Sequence, residues 1–99
     1  MRREGSAARS SRRIACLLGD AASSPAATAR EFSPWVELSD DGAAYFDVRG
    51  CGALHGDEEG LAADVAARAG AGARVGIAGS KAAARLAADG ALGVIPSGK

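Results

Sequence analysis

After residue 13 the spacing of apolar positions changes several times, and each change predicts an element. Arg13-Ile-Ala-Cys-Leu-Leu18 is a nearly continuous apolar run, the pattern of a short buried strand, stopped by Gly19-Asp20. Residues 21 to 31 are Ala, Ser, Thr and one Pro, which reads as a linker or as a weak helix ending near Glu31. Trp35 to Leu38 and Ala43 to Val48 are apolar-rich runs separated by Ser39-Asp40-Asp41-Gly42, and Asp-Gly between two such runs is a strong hairpin signal. In the second of these strands Tyr45 and Asp47 share one face, while Ala44, Phe46 and Val48 share the other. That alternation puts Phe46 in the core and Asp47 on the open face of the sheet.

Gly50-Cys-Gly-Ala-Leu-His-Gly56 is a loop of small residues leading into a helix. Asp57 is its N-cap, Glu58 and Glu59 suit the positive end of its dipole, and Leu61, Val65 and Ala69 make its buried stripe. Gly70-Ala-Gly72 ends it. Arg74 to Ala78 is the next strand, its glycine suggesting close packing. Ser80 caps a second helix with Lys81 in its first turn, an inward stripe of Ala83, Leu86 and Ala87, and a stop at Asp89-Gly90. Leu92 to Ile95 forms a last short strand before Pro96. The expected fold class is α+β, a small mixed sheet with two helices packed on one face.

Composition makes that core thin. The chain has 99 residues and 4% aromatics, and alanine supplies much of its 47% hydrophobic fraction. Alanine removes far less apolar area from water than leucine or phenylalanine, and a domain of this length buries only about 60 to 65% of its unfolded surface. One small domain spanning 13–99 is expected, of thin stability margin, preceded by a basic tail over 1–12. Arg2, Arg3, Arg9, Arg12 and Arg13 face only Glu4, whereas residues 14 to 99 hold seven basic and eleven acidic side chains, so the formal net charge of +0 hides an uneven distribution. A tail of arginines among Gly, Ser and Ala cannot build a core and is expected to be disordered. It is either a solvated extension or a weak, salt-sensitive contact to phosphate backbones. Ile14 to Leu18 is too short for a signal h-region or a membrane span, so the cytoplasm is the expected location and no membrane partner is implied.

Candidate chemistry is sparse. Cys16 and Cys51 lack metal-ligand spacing and read as buried small hydrophobes in a reducing compartment. His55 sits in the Gly-rich loop with no nucleophile to orient it as a general base. Asp40 and Asp41 are hairpin residues before they are Mg2+ ligands. Gly79-Ser80-Lys81 inverts the Gly-Lys-Ser/Thr order of a phosphate-binding loop. What survives is narrower: N–H groups at a helix start beside the Lys81 ammonium can hold a phosphate oxygen, so Ser80 and Lys81 are the candidate cofactor-binding residues, with a solvated lysine as the rival reading. No catalytic residue and no metal ligand is assigned.

Phe32-Ser-Pro-Trp-Val-Glu37 followed by a tight turn and Ala44-Tyr-Phe-Asp47 resembles the Y-family, UmuC-like lesion-bypass DNA polymerases. In those proteins Tyr-Ser-Pro-x-Val-Glu leads through a turn carrying an Asp-Glu pair to Ala-Tyr-x-Asp. Val48-Arg-Gly50, Leu54-His-Gly56, Val75-Gly-Ile-Ala-Gly-Ser-Lys81 with the helix to Asp89, and Gly93-Val-Ile-Pro96 continue the resemblance in order over residues 32 to 96. Arg13 to Leu18 is similar to the opening strand of ImuB-like proteins, the polymerase-like accessory subunits of bacterial mutagenic repair. The resemblance implies a polymerase palm, with Lys81 at the position that contacts an incoming triphosphate and Tyr45 and Asp47 at structural positions of the palm strand.

The departures from the pattern matter as much. The family's Asp-Glu pair falls on Gly42 and Ala43, and its first-strand Asp on or beside Leu17. Two-metal phosphoryl transfer needs carboxylates there to hold Mg2+, so Mg2+ is expected only in active relatives and no cofactor here. The interval 19–31 replaces the fingers region and is too short to enclose a base pair. The expectation is an abbreviated, catalytically inactive palm module of DNA repair or translesion synthesis, with DNA and replication or repair proteins as the partners implied. The alternatives are a purely structural fragment of such a gene and a small DNA-binding accessory module.

Overall fold

The apolar run at the head of the domain becomes the middle of a sheet. In this computed structural model, which describes residues 13–19, 24–48, 57–70, 72–90 and 93–95, β1 (Ile14–Leu18) lies between β3 (Ala44–Asp47) and β4 (Arg74–Ala78), with β2 (Val36–Leu38) beyond β3, in the order β2-β3-β1-β4. All three pairings are antiparallel, and their registers set Cys16 against Tyr45 on one side and Gly76 on the other. A strand covered on both faces has no polar face to show. Ala15, Cys16 and Leu17 are accordingly wholly buried.

Helices cover both faces, three in number among the described residues: α1 (Pro25–Phe32), α2 (Glu58–Ala69) and α3 (Lys81–Asp89). This corrects the expectation of two helices on one face. Because strand side chains alternate, Ala15, Leu17, Ala44, Phe46, Val75 and Ile77 point to one side, where Ala29 of α1 and Leu61 and Val65 of α2 complete a core. Ile14, Cys16, Ala43 and Ala78 belong to the other side and pack under Ala84 and Ala88 of α3. Of the two readings of 21–31, linker or weak helix, the helix is the one that forms, over Pro25–Phe32. Ser24 caps α1 by accepting the Ala27 N–H at 3.3 Å, Pro25 supplies a preset φ at the first turn, and Thr28 and Ala29 are buried. Its small residues give a weak apolar signal because they bury little area each.

The hairpin forms as its sequence predicts. The Gly42 N–H donates to the Ser39 carbonyl at 3.0 Å and the Ser39 N–H to the Ala43 carbonyl at 2.9 Å. Gly42 adopts φ +91°, a turn followed by a left-handed residue that a side chain would strain. Asp57 and Ser80 cap α2 and α3 by accepting the Gly60 and Ala83 N–H groups. Of the strand expected at Leu92 to Ile95, Leu92 lies outside the described residues and 93–95 make one parallel bridge, Ile77 to Val94, with the Ile77 N–H donating to the Gly93 carbonyl and the Ile95 N–H to the Ile77 carbonyl. The four strands themselves form an antiparallel sheet rather than the mixed one expected, and the bridge lies outside them. The tail 1–12, Asp20, Arg49 and the Gly50–Gly56 loop with Cys51 and His55 lie outside the described residues.

α3 sits closer to the sheet than the expected stripe allows. Its buried positions are Ala84, Ala87 and Ala88, whereas Leu86, expected inward, is 67% exposed. The cause is Gly76. A Cβ there would run into the Ala84 carbonyl oxygen and would stand 2.5 Å from the Ala88 nitrogen and 2.8 Å from the Ala87 Cβ. Only methyl groups fit so close an approach, so the helix turns its leucine away. Gly76→Ala is expected to lift α3 off β4 and cost about 3 kcal/mol, as overpacking against backbone does. A urea titration followed by circular dichroism reads it, and a midpoint equal to that of the parent would refute the contact.

Candidate functional site

The open portion of the sheet lies on the α3 side, over β2 and β3. Pairing sets Glu37 opposite Tyr45, so by alternation Glu37, Tyr45 and Asp47 share this face. α3 contributes Lys81, Arg85 and Asp89, four residues apart and hence on one row of the helix. Two shallow clefts result. One of about 280 Å³ includes Ile14, Trp35, Tyr45, Asp47 and Lys81 in its lining, and one of about 540 Å³ includes Ser39, Ala82, Arg85 and Leu86; Glu37, Tyr45 and Lys81 border both.

Ser80 and Lys81, the residues expected to hold phosphate, do stand together at the start of α3. Both are engaged within the chain. The Ser80 hydroxyl accepts the Ala83 N–H at 3.2 Å, and the Lys81 ammonium donates to Glu37 at 2.7 Å while lying 5.8 Å from the centre of the Tyr45 ring. A phosphate at this helix start would compete with the Glu37 carboxylate for the ammonium.

At the hairpin turn the carboxylate is held just as firmly. Asp41 accepts hydrogen bonds from the Ser39 hydroxyl and the Ala43 N–H, and pairs with Arg85 at 2.7 Å. The Ser39 hydrogen bond first, then Arg85 and then the Ala43 amide, hold its pKa well below the usual carboxylate range. Asp41, with a smaller part from Tyr45, raises that of Arg85 above its ordinary value. Arg85 also reaches Asp89 at 3.2 Å, one helical turn on.

Beside this network Cys16 is wholly buried, and burial pushes its thiol up to about 11, against a hydrogen bond with Tyr45 that acts the other way. A thiol so placed stays protonated and inert.

The positions where the family resemblance would require metal ligands are now located. Gly42 has no side chain, Ala43 is 2% exposed within the apolar cluster under α3, and Leu17 is buried on the opposite face among α1 and α2 contacts. Among the described residues no three His, Cys, Asp or Glu side chains gather as a metal-binding group, and no helix is long and apolar enough to cross a membrane.

Three groups escaped the reading of the sequence. Arg13, counted with the basic tail, is buried; its Nε and Nη2 donate to Glu58 at 2.9 and 2.8 Å and Nη2 also to the Ile95 carbonyl, while Nη1 has no partner among the described residues. The Glu37–Lys81 and Asp41–Arg85 pairs were hidden because their members are 44 residues apart in sequence. The four-residue spacing of Lys81, Arg85 and Asp89 was the available signal. Compared with known proteins, the chain matches no family model, no curated protein and no solved structure.

Because the folded state holds Asp41 ionised more strongly than the unfolded chain does, its contribution is fully present above the unfolded pKa and is lost as pH falls below about 4. Asp41→Asn should therefore lower the Tm at pH 7 and flatten the decline in Tm between about pH 4 and pH 2. Parallel Tm curves for the two proteins across that window would contradict the assignment.

Proposed function

We propose that this chain is an abbreviated, catalytically inactive relative of the Y-family polymerase palm, associated with DNA repair, acting through protein contacts with weak DNA association as a lesser mode. The observation that carries the reading is the hairpin turn. Where the resemblance requires an Asp-Glu pair the chain has Gly42 and a buried Ala43, and the neighbouring Asp41 is turned into an ion pair with Arg85. The central strand supports it, since Leu17 places a side chain without ligand atoms in the α1–α2 core. Two-metal chemistry has no carboxylates to stand on at any of these positions.

Charge pairing favours protein over nucleic acid as the partner. Arg13, Arg68, Lys81 and Arg85 are paired with Glu58, Glu31, Glu37 and Asp41, so these cations offer phosphates little uncompensated charge. Large apolar side chains are meanwhile left in solvent at Trp35, Leu38 and Leu86.

Primer extension with Mg2+ tests the reading. The purified chain is expected to add no nucleotide, and neither is the Gly42→Asp/Ala43→Glu variant, whose new glutamate would enter an apolar cluster and would still lack a partner on β1. Metal-dependent extension abolished by Asp47→Asn would overturn it. In a fluorescence anisotropy titration, DNA binding should be weak and vanish by about 200 mM salt. Tight binding retained at that salt would make DNA the principal partner.

A further inference from the structure

Among the described residues β2 is the outermost strand, and along it the hydrogen-bonding direction alternates. Ser39 bonds inward to Ala43, so Glu37 also bonds inward to Tyr45, while the N–H and C=O groups of Val36 and Leu38 point outward. Of the usual guards of such an edge Val36–Leu38 holds one charge, Glu37, which Lys81 neutralises, and no proline or lysine. At its head, the Ser33 hydroxyl accepts the Trp35 N–H and donates to the Trp35 carbonyl, each at 3.2 Å. The backbone of Trp35 is thus fixed while its side chain stands 79% exposed. A large aromatic held in place without cover is the signature of an interface anchor.

We infer that a second copy of this chain covers the edge, paired antiparallel along β2 about a two-fold axis through Glu37. Val36 then faces Leu38 of the second copy, and both pairs exchange their outward N–H and C=O groups. The two four-stranded sheets become one. Trp35 falls opposite Ser39 of the second copy, at the mouth of the 540 Å³ cleft that Ser39 lines together with the 67% exposed Leu86. The anchor and the cleft that receives it are on the same chain, at the register the two-fold dictates.

Charge supports a like partner over a foreign strand. The axis brings two Glu37 side chains face to face, with Cα atoms about 4.5 Å apart in such a pair, which alone would be repulsive. Each glutamate carries its own Lys81 at 2.7 Å, so the four groups together are balanced in charge. A formal net charge of +0 leaves no overall repulsion between copies. The edge geometry carries the inference independently of any relation to DNA repair.

Sedimentation equilibrium of the full chain, combined with fluorescence of Trp35, the sole tryptophan, tests it. A monomer–dimer equilibrium with a blue shift of the emission on association is expected. Leu38→Pro, at the end of β2, removes an outward N–H while leaving the inward bonds of Glu37 and Ser39, and should weaken association at least about tenfold with the monomer's circular dichroism retained. Leu86→Lys, a change at an exposed position, should weaken association and abolish the blue shift. Lys81→Met should also weaken association, and Glu37→Gln added to it should restore dimerisation, which loss of a merely structural ion pair would not do. A chain that remains monomeric at every concentration, or a dimer undiminished in both Leu38→Pro and Leu86→Lys, would overturn the inference.

Discussion

The fold depends on how closely a helix can approach a strand. A core built largely of alanine has little area per residue to remove from water, so it gains cohesion by bringing backbones together and filling the space with methyl groups. Gly76 makes that approach possible on one face of the sheet: its missing side chain is the space into which Ala84, Ala87 and Ala88 settle. The other face is conventional, with Leu17, Phe46, Leu61, Val65 and Ile77 supplying larger side chains. β1 is held between a tight alanine layer and a fuller aliphatic one.

The tight layer shapes the surface as well. A helix seated on a glycine buries its alanines and turns its longer side chains outward and sideways. Lys81, Arg85 and Leu86 are thereby delivered to the uncovered part of the sheet, where Glu37, Asp41 and Tyr45 meet them. The clefts, the ion pairs and the exposed leucine follow from one short contact. The same contact closes the region around Ala43, so that the place where the proposed polymerase relationship would ask for an acid is occupied by hydrocarbon.

Local signals made much of this legible. Asp-Gly between apolar runs located the hairpin, Asp57 and Ser80 located two helix starts, and alternation along Ala44–Asp47 separated Phe46 from Tyr45 and Asp47. What periodicity cannot convey is which face of a sheet a helix chooses. Leu86 belongs to the apolar stripe by spacing, yet is excluded by a glycine ten residues earlier whose effect is purely steric. α1 was faint because alanine and threonine make a weak apolar pattern. Arg13 was misjudged because composition assigns an arginine beside four others to a solvated tail, and only the tertiary arrangement puts Glu58 within its reach.

The Arg13 contacts also govern when the fold can close during synthesis. Its Nε and Nη2 bond Glu58, 45 residues later, Nη2 also bonds the carbonyl of Ile95, 82 residues later, and β1 pairs with β3 and β4 rather than with β2. One edge of β1 can be covered as soon as β3 is made, but the other must wait for β4, and contacts of such long sequence separation form slowly. Until then the central strand has one open edge and its arginine lacks the Ile95 carbonyl. The first of the described strands is thus the last in the sheet to be enclosed, and its waiting edge is the part of the nascent sheet most open to pairing with another chain.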